Sequence, residues 1–169
     1  MIITERLALR QLTESDWPFI IELVNQPDFI KNVGDKAVGD KASALTYLAQ
    51  GPMLCHKTHG FSLLAMTLTD EGSEEKDIGK VIGMCGLLKR DNLNAPDIGY
   101  ALLPDYYRRG YTLEAASAVL KHHQELKLVY GLTNTENLAS IRLLEKLGFK
   151  QRKAPLTDRE DTVFLELSR

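Results

Sequence analysis

Arg108 and Arg109 stand beside Gly110, just ahead of a run that reads as a helix, in the stretch YYRRGYTLEA (106–115). From Tyr111 onward Ala116, Val119, Leu120 and His123 recur at the spacing of one helical face. The first turn of a helix leaves its N–H groups without partners inside the helix, and the macrodipole adds positive potential there. A glycine at that point lets the backbone approach a ligand closely. Two guanidinium groups add fixed positive charge, so the combination suits a phosphate or pyrophosphate. The plainer reading is a pair of solvated arginines beside a glycine that relieves a turn, and this stretch alone leaves both open. Neither G-x-x-x-x-G-K-[ST] nor G-x-G-x-x-G spacing is present, which disfavours a nucleoside triphosphate.

A second stretch, NTENLASIRLLEKLGF (134–149), carries polar residues at a helix start. Asn137 is a good N-cap for a helix over about 138–147, with Ser140 in its first turn. Gly148 suits a left-handed stop, and Phe149 can touch Leu144 as in a Schellman ending. The remaining reactive side chains predict little chemistry. His56 and His59 are three apart but lack a third ligand nearby, and His122 and His123 cannot share a helix face, so no metal is expected. Cys55 and Cys85 form no metal spacing or disulfide framework, which suits small buried hydrophobes in a reducing, cytoplasmic setting.

These residues need a scaffold, and its elements are legible. RLALRQL (6–12) alternates as a half-buried strand, with Leu7 and Leu9 on one face. TESDWPFIIELVNQ follows as a helix, with Thr13 or Ser15 to cap it, Pro18 early and Trp17 as a packing anchor. KNVGDKAVGD (31–40) reads as a loop, and 41–55 as a second, weaker helix. Strands are predicted at 61–68, 80–88 and 96–103, the first two joined by the acidic spacer TDEGSEEKD as a solvated hairpin tip. A helix to about Leu126, a strand VYGLT, the helix at 138–147 and strands around 149–153 and 162–168 complete the order. Strands with inserted helices imply a mixed sheet with helices on its faces, one α/β domain spanning 1–169.

Composition limits what such a domain does. Of 169 residues, 44% are apolar and 26% charged, as in a soluble globular protein. With 21 basic and 23 acidic side chains, no broad electrostatic footprint for nucleic acid exists, and no aromatic–basic interleaving suggests base stacking. No apolar run approaches the ~20 residues of a membrane span. The start, MIITERLALR, lacks the features of a signal peptide.

TERLALRQL at the start, DIGYALLPDYYRRGYTLEA in the middle and NTENLASIRLLEKLGF near the end resemble, in order and spacing, the GNAT superfamily of acyl-CoA-dependent N-acetyltransferases. The likeness is closer to its RimJ/RimL-type branch and spans essentially the whole chain. It implies a central twisted, mostly antiparallel sheet flanked by helices. It also implies direct transfer of acetyl from acetyl-CoA to a primary amine, with no acyl-enzyme and no metal. By the resemblance, Arg108, Arg109, Gly110, Tyr111 and Thr112 would hold the coenzyme A pyrophosphate through backbone N–H groups. Leu102 and Leu103 would pair with the pantetheine arm, with an oxyanion donor near Leu102, while Asn137 reaches the pantetheine and Ser140 stands beside the thioester. Tyr107 and Thr112 depart from the family's phosphate-loop pattern, and Leu144 stands where many relatives carry an acidic tyrosine. Ser140 is then the candidate acid, Asp97 the candidate base, directly or through water, and Tyr100 a wall of the acceptor pocket; Glu114 reads as structural.

The acceptor, a protein N-terminus or a small amine, would meet the loop near 31–39, the strand around 97–101 and the hairpin near 154–161. Those segments mix Lys31, Lys36 and Arg159 with Asp35, Asp158 and Glu160, so no charge preference emerges from sequence. The alternative is a non-catalytic acyl-CoA-binding sensor or interaction module. Monomer and homodimer are both compatible with the sequence.

Overall fold

Leu7 and Leu9 alternate with Ala8 and Arg10, and the strand they predict forms over Leu7–Gln11 (β2), with both leucines fully buried. The computed structural model describes residues 1–69, 77–157 and 159–169. Most of the acidic spacer TDEGSEEKD, and Asp158, lie outside the described residues.

The predicted elements recur with instructive differences. A short strand Ile2–Ile3 (β1) pairs with β2, too brief to leave a periodic signal. Thr13 heads a single 3₁₀ turn in which its N–H donates to the Asp16 carboxylate (2.8 Å), and the helix proper is Trp17–Val24 (α1). A helix, Pro27–Val33 (α2), takes in the first three residues of the stretch 31–40 that reads as a loop, with proline at its first position and Gly34 (φ 104°) at its end. Those two residues are start and stop signals for a helix whose seven residues are too few for a clear periodicity. The weak helix is Lys41–Leu48 (α3), capped by the Asp40 side chain. Pro52 interrupts the ladder with a π turn before Leu54–His59 (α4).

Strands Leu63–Leu68 (β3), Val81–Leu88 (β4) and Asp97–Leu102 (β5) lead into helix Tyr111–His122 (α5), which stops before Leu126. Strand Leu128–Asn134 (β6), helix Leu138–Lys146 (α6), and strands Lys150–Gln151 (β7) and Thr162–Ser168 (β8) follow. The Schellman ending of α6 forms as its residues predict: Gly148 donates to the Glu145 carbonyl and Phe149 to that of Leu144, both at 3.0 Å.

Among the described residues one eight-stranded sheet, ordered β1-β2-β3-β4-β5-β6-β8-β7, results, and its pairings are antiparallel except β5 with β6. That parallel pair opens the molecule. It is registered only at Asp97–Tyr130 and Ile98–Gly131, whereas β5 keeps its β4 partners through Leu102. Beyond Ile98 the two strands diverge into a wedge. Leu103 donates its N–H to the Ile82 carbonyl of the β4 side (2.8 Å). Successive strand residues alternate the edge to which their peptide groups point, so those of Tyr100 and Leu102 face the wedge.

Candidate active site

The wedge continues into a cleft of about 1440 Å³, walled by β5, the starts of α5 and α6, and the α2–α4 segment. Arg108, Gly110, Tyr111 and Thr112 line one end. Gly110 is the N-cap of α5 with φ 82°, a left-handed conformation that excludes most side chains, so the glycine is required by the turn itself. Arg108 also takes a left-handed backbone (φ 60°), at a cost of about 1 kcal/mol for a residue with a side chain. The helix's own ladder begins with the Glu114 N–H on the Gly110 carbonyl (3.1 Å), which leaves the amides of Thr112 and Leu113 outside it.

This turn is held from behind. The Glu114 carboxylate accepts from Thr4 Oγ1 (2.6 Å), the Arg6 N–H (2.8 Å) and Arg6 Nε (2.7 Å), and these donors hold its pKa below the ordinary carboxylate value against the effect of burial. Arg6 Nη1 also donates to the Arg109 carbonyl (2.9 Å). The structural reading of Glu114 thus has a physical basis: it pins the N-terminal segment to the first turn of α5. Arg109 places its guanidinium 5.7 Å from the Tyr106 ring centre, and neither it nor Leu103 belongs to the cleft wall.

In the middle of the cleft, two walls meet through side chains. Asn137 caps α6 by accepting from the Ser140 N–H (3.2 Å). Across the wedge, the Tyr100 hydroxyl lies 2.7 Å from Ser140 Oγ and 3.4 Å from the Ser140 carbonyl. Burial pushes the Tyr100 phenol up to about 12, with the Ser140 hydrogen bond opposing, so it is protonated at neutral pH. Leu144, the position that the resemblance matches to a tyrosine of many relatives, is 1% exposed, and its methyls pack so tightly on β6 that a Cβ added at Gly131 would meet them at 2.9 Å. The hydroxyl facing Ser140 comes from β5 instead. No sequence signal could show this, because the contact joins residues 40 apart on separate elements.

Asp97 is placed differently from Tyr100. It is 1% exposed, with its Oδ1 accepting from Arg90 Nε at 2.9 Å. Burial raises its pKa, and Arg90 opposes the rise. Its side chain borders the cleft all the same. Arg90 is itself a residue that sequence reasoning missed. It lies in the β4–β5 connection without a motif, and only the fold brings it to the cleft, where Lys36, Arg159 and Asp161 also line the far end. Phe29, Val33, Tyr47 and Leu54 add apolar side chains to the cleft lining, and two of them belong to the unpredicted helix α2. Among the described residues, no group of three or more His, Cys, Asp or Glu side chains is placed to hold a metal, and no helix is long and apolar enough to cross a membrane.

A mostly antiparallel sheet flanked by helices, with a glycine turn opening α5, is the arrangement that the resemblance to the acyl-CoA-dependent N-acetyltransferases implies. The family described as Acetyltransferase (GNAT) domain matches residues 6–150, and the chain belongs to it. The chain is similar to the uncharacterized N-acetyltransferase YoaA of Bacillus subtilis, 27% identical over 153 residues that cover 88% of this chain and 81% of YoaA. In fold it is similar to an acetyltransferase of Agrobacterium tumefaciens, with a TM-score of 0.80 at 22% identity, covering 99% of this chain and 94% of that one. It is also similar in fold to RimL, the ribosomal L7/L12 alpha-N-protein acetyltransferase, with a TM-score of 0.74 at 17% identity, covering 100% and 94%.

Proposed function

We propose that the protein transfers acetyl from acetyl-CoA to a primary amine, on a small molecule or a protein N-terminus, in one ternary complex, as the RimJ/RimL-type branch does. The observation that carries the reading is the Tyr100–Ser140 hydroxyl pair, 2.7 Å apart across the wedge. The diphosphate of the coenzyme meets the amides after Gly110 and the charge of Arg108, and the pantetheine arm extends along the Tyr100 and Leu102 peptide groups as an added strand. The amine nitrogen, having lost its ammonium proton to water, attacks the thioester carbonyl. A C–N bond forms, the Leu102 N–H supports the developing oxyanion, and the C–S bond then breaks. The bonded nitrogen releases its second proton to water, the departing thiolate takes a proton from Ser140 Oγ, Tyr100 resupplies Ser140, and water returns the proton to Tyr100. Asp97 is assigned to holding Arg90 rather than to taking a proton, because its carboxylate is buried and engaged. Asn137 acts by fixing the first turn of α6, and with it Ser140. A purely acyl-CoA-binding role draws its support from Leu144, and the Tyr100 hydroxyl supplies what that leucine lacks.

The thermal midpoint with and without acetyl-CoA tests the reading, with ATP as the phosphate-bearing control. Ligand at about 100 times its dissociation constant adds about 2.7 kcal/mol, or about 5–10 °C for a chain of this size. A shift with acetyl-CoA alone supports the cofactor site and leads to an amine panel. An equal response to ATP, or none to either, refutes it.

A further inference from the structure

We propose that the acceptor is a small amine carrying an anionic group on a tether, with the anion seated by Lys36, Arg90 and Arg159 at the far end of the cleft. The proposal rests on the acetyl-transfer reading and names the class of its acceptor. The three cations come from three separate segments: the loop after α2, the β4–β5 connection and the β7–β8 connection. All three line one cavity. Burial lowers the proton affinity of the Lys36 ammonium first, and the positive fields of Arg90 and Arg159 lower it further. These groups repel one another in the empty cleft, and an anion between them would relieve that repulsion.

The carboxylates at this end do not cancel the charge. Asp97 pairs with Arg90 from within the fold, at 1% exposure, through Nε alone, which leaves the other guanidinium donors to the cleft. Asp161 Oδ1 stands 3.7 Å from Arg159 Nε, with both side chains about two-thirds exposed, so water screens that pair. Asp91 also lines the cleft, while the Lys89 ammonium is turned onto the Arg90 and Leu93 carbonyls. The turn bearing Lys36 is fixed by the Asp35 carboxylate, which accepts the Ala37 N–H at 2.8 Å, and by a left-handed Ala37 (φ 53°).

Geometry sets the length of the acceptor. Asp97, and with it Arg90, lies three residues along β5 from Tyr100, about 10 Å at the rise of a strand. The α-carboxylate of a free amino acid, two bonds from its amine, cannot reach the cations while the amine meets the thioester. An amine whose carboxylate or phosphate lies several bonds away can. Amines with a second positive charge are repelled.

Calorimetric titration of the CoA-loaded protein tests this, with aminohexyl phosphate, aminohexanol, diaminohexane and glycine as probes. Aminohexyl phosphate is expected to bind at least about tenfold tighter than aminohexanol, the yield of one or two charge-assisted contacts, with diaminohexane and glycine weaker than either. In the double variant Lys36→Met, Arg159→Gln the ratio should fall at least about threefold, with Arg90 keeping part of the preference. Arg90 is left in place, because its loss would strand a buried Asp97. Equal affinities for the phosphate and the alcohol, or a preference undiminished in the variant, overturn the seat. Acetylation of aminohexanol with no preference for the phosphate leaves acetyl transfer standing and removes the seat. Preferential binding of the phosphate without its acetylation supports the seat and refutes the transfer reading.

Discussion

Replacing Tyr100 with phenylalanine removes one oxygen from the wedge and leaves the ring's packing in place. In the protein that oxygen lies 2.7 Å from Ser140 Oγ, and the phenol, pushed up to about 12 by burial, is ionised in only about one molecule in 10⁵ at pH 7. It therefore carries its proton at pH 7 and is not available as a base there. If it resupplies the proton that Ser140 gives to the thiolate, Tyr100→Phe should lower kcat about 10²-fold, the lower end of what a placed acid contributes. The acetyl-CoA affinity should move less than about threefold, because a lost neutral hydrogen bond is worth only about 1 kcal/mol and does not bear on the phosphates. Ser140→Ala should do the same, and the double variant should be no slower than the slower single one, since both remove the same relay. Thiol release monitored against pH gives a further check. With the phenol held at about 12, kcat should show no fall near pH 10. A loss below about threefold, additive single effects or a fall centred near pH 10 would each refute the relay.

Gly110→Asp should weaken acetyl-CoA binding at least about tenfold by calorimetry, because it sets a negative side chain beside the phosphates at a left-handed position; unchanged affinity removes the phosphate site. Leu144→Tyr, which supplies the tyrosine that the resemblance implies for many relatives, should lower stability by about 1–3 kcal/mol in urea unfolding without raising kcat, because the side chain is 1% exposed and packed on Gly131. Alkaline stability should fall steeply. Cys85 and Tyr100 are both raised to about 12 in the folded chain, so the native state keeps protons that the unfolded chain releases. Their contribution is complete below the unfolded values. It is lost at about 1.4 kcal/mol per pH unit above about pH 9 for Cys85, and at about twice that above pH 10 once Tyr100 joins. Cys85→Ala should flatten the first part of that decline in urea titrations at pH 8–10.

Local chemistry made much of the protein legible from its sequence. The β2 alternation of Leu7 and Leu9, the Asn137 cap, the Gly148 stop and the turn into α5 at Gly110 each depend on a few neighbouring residues, and each forms. Their order and spacing were sufficient to place the chain in its family. What depended on partners far along the chain was not legible. Helix α2 is too short to show a period, and β1 is held by pairing rather than by pattern. The divergence of β5 from β6 after Ile98 leaves no trace in either strand's residues, yet it makes the cleft. Only the fold sets Tyr100 against Ser140, packs Leu144 on Gly131, and brings Lys36, Arg90 and Arg159 to the lining of one cavity. The sequence determined which residues could bind a phosphate or move a proton, because those capacities belong to side chains and to helix starts. The tertiary structure decided which of them act together, because proximity across a sheet is a property of strand register and not of any local stretch.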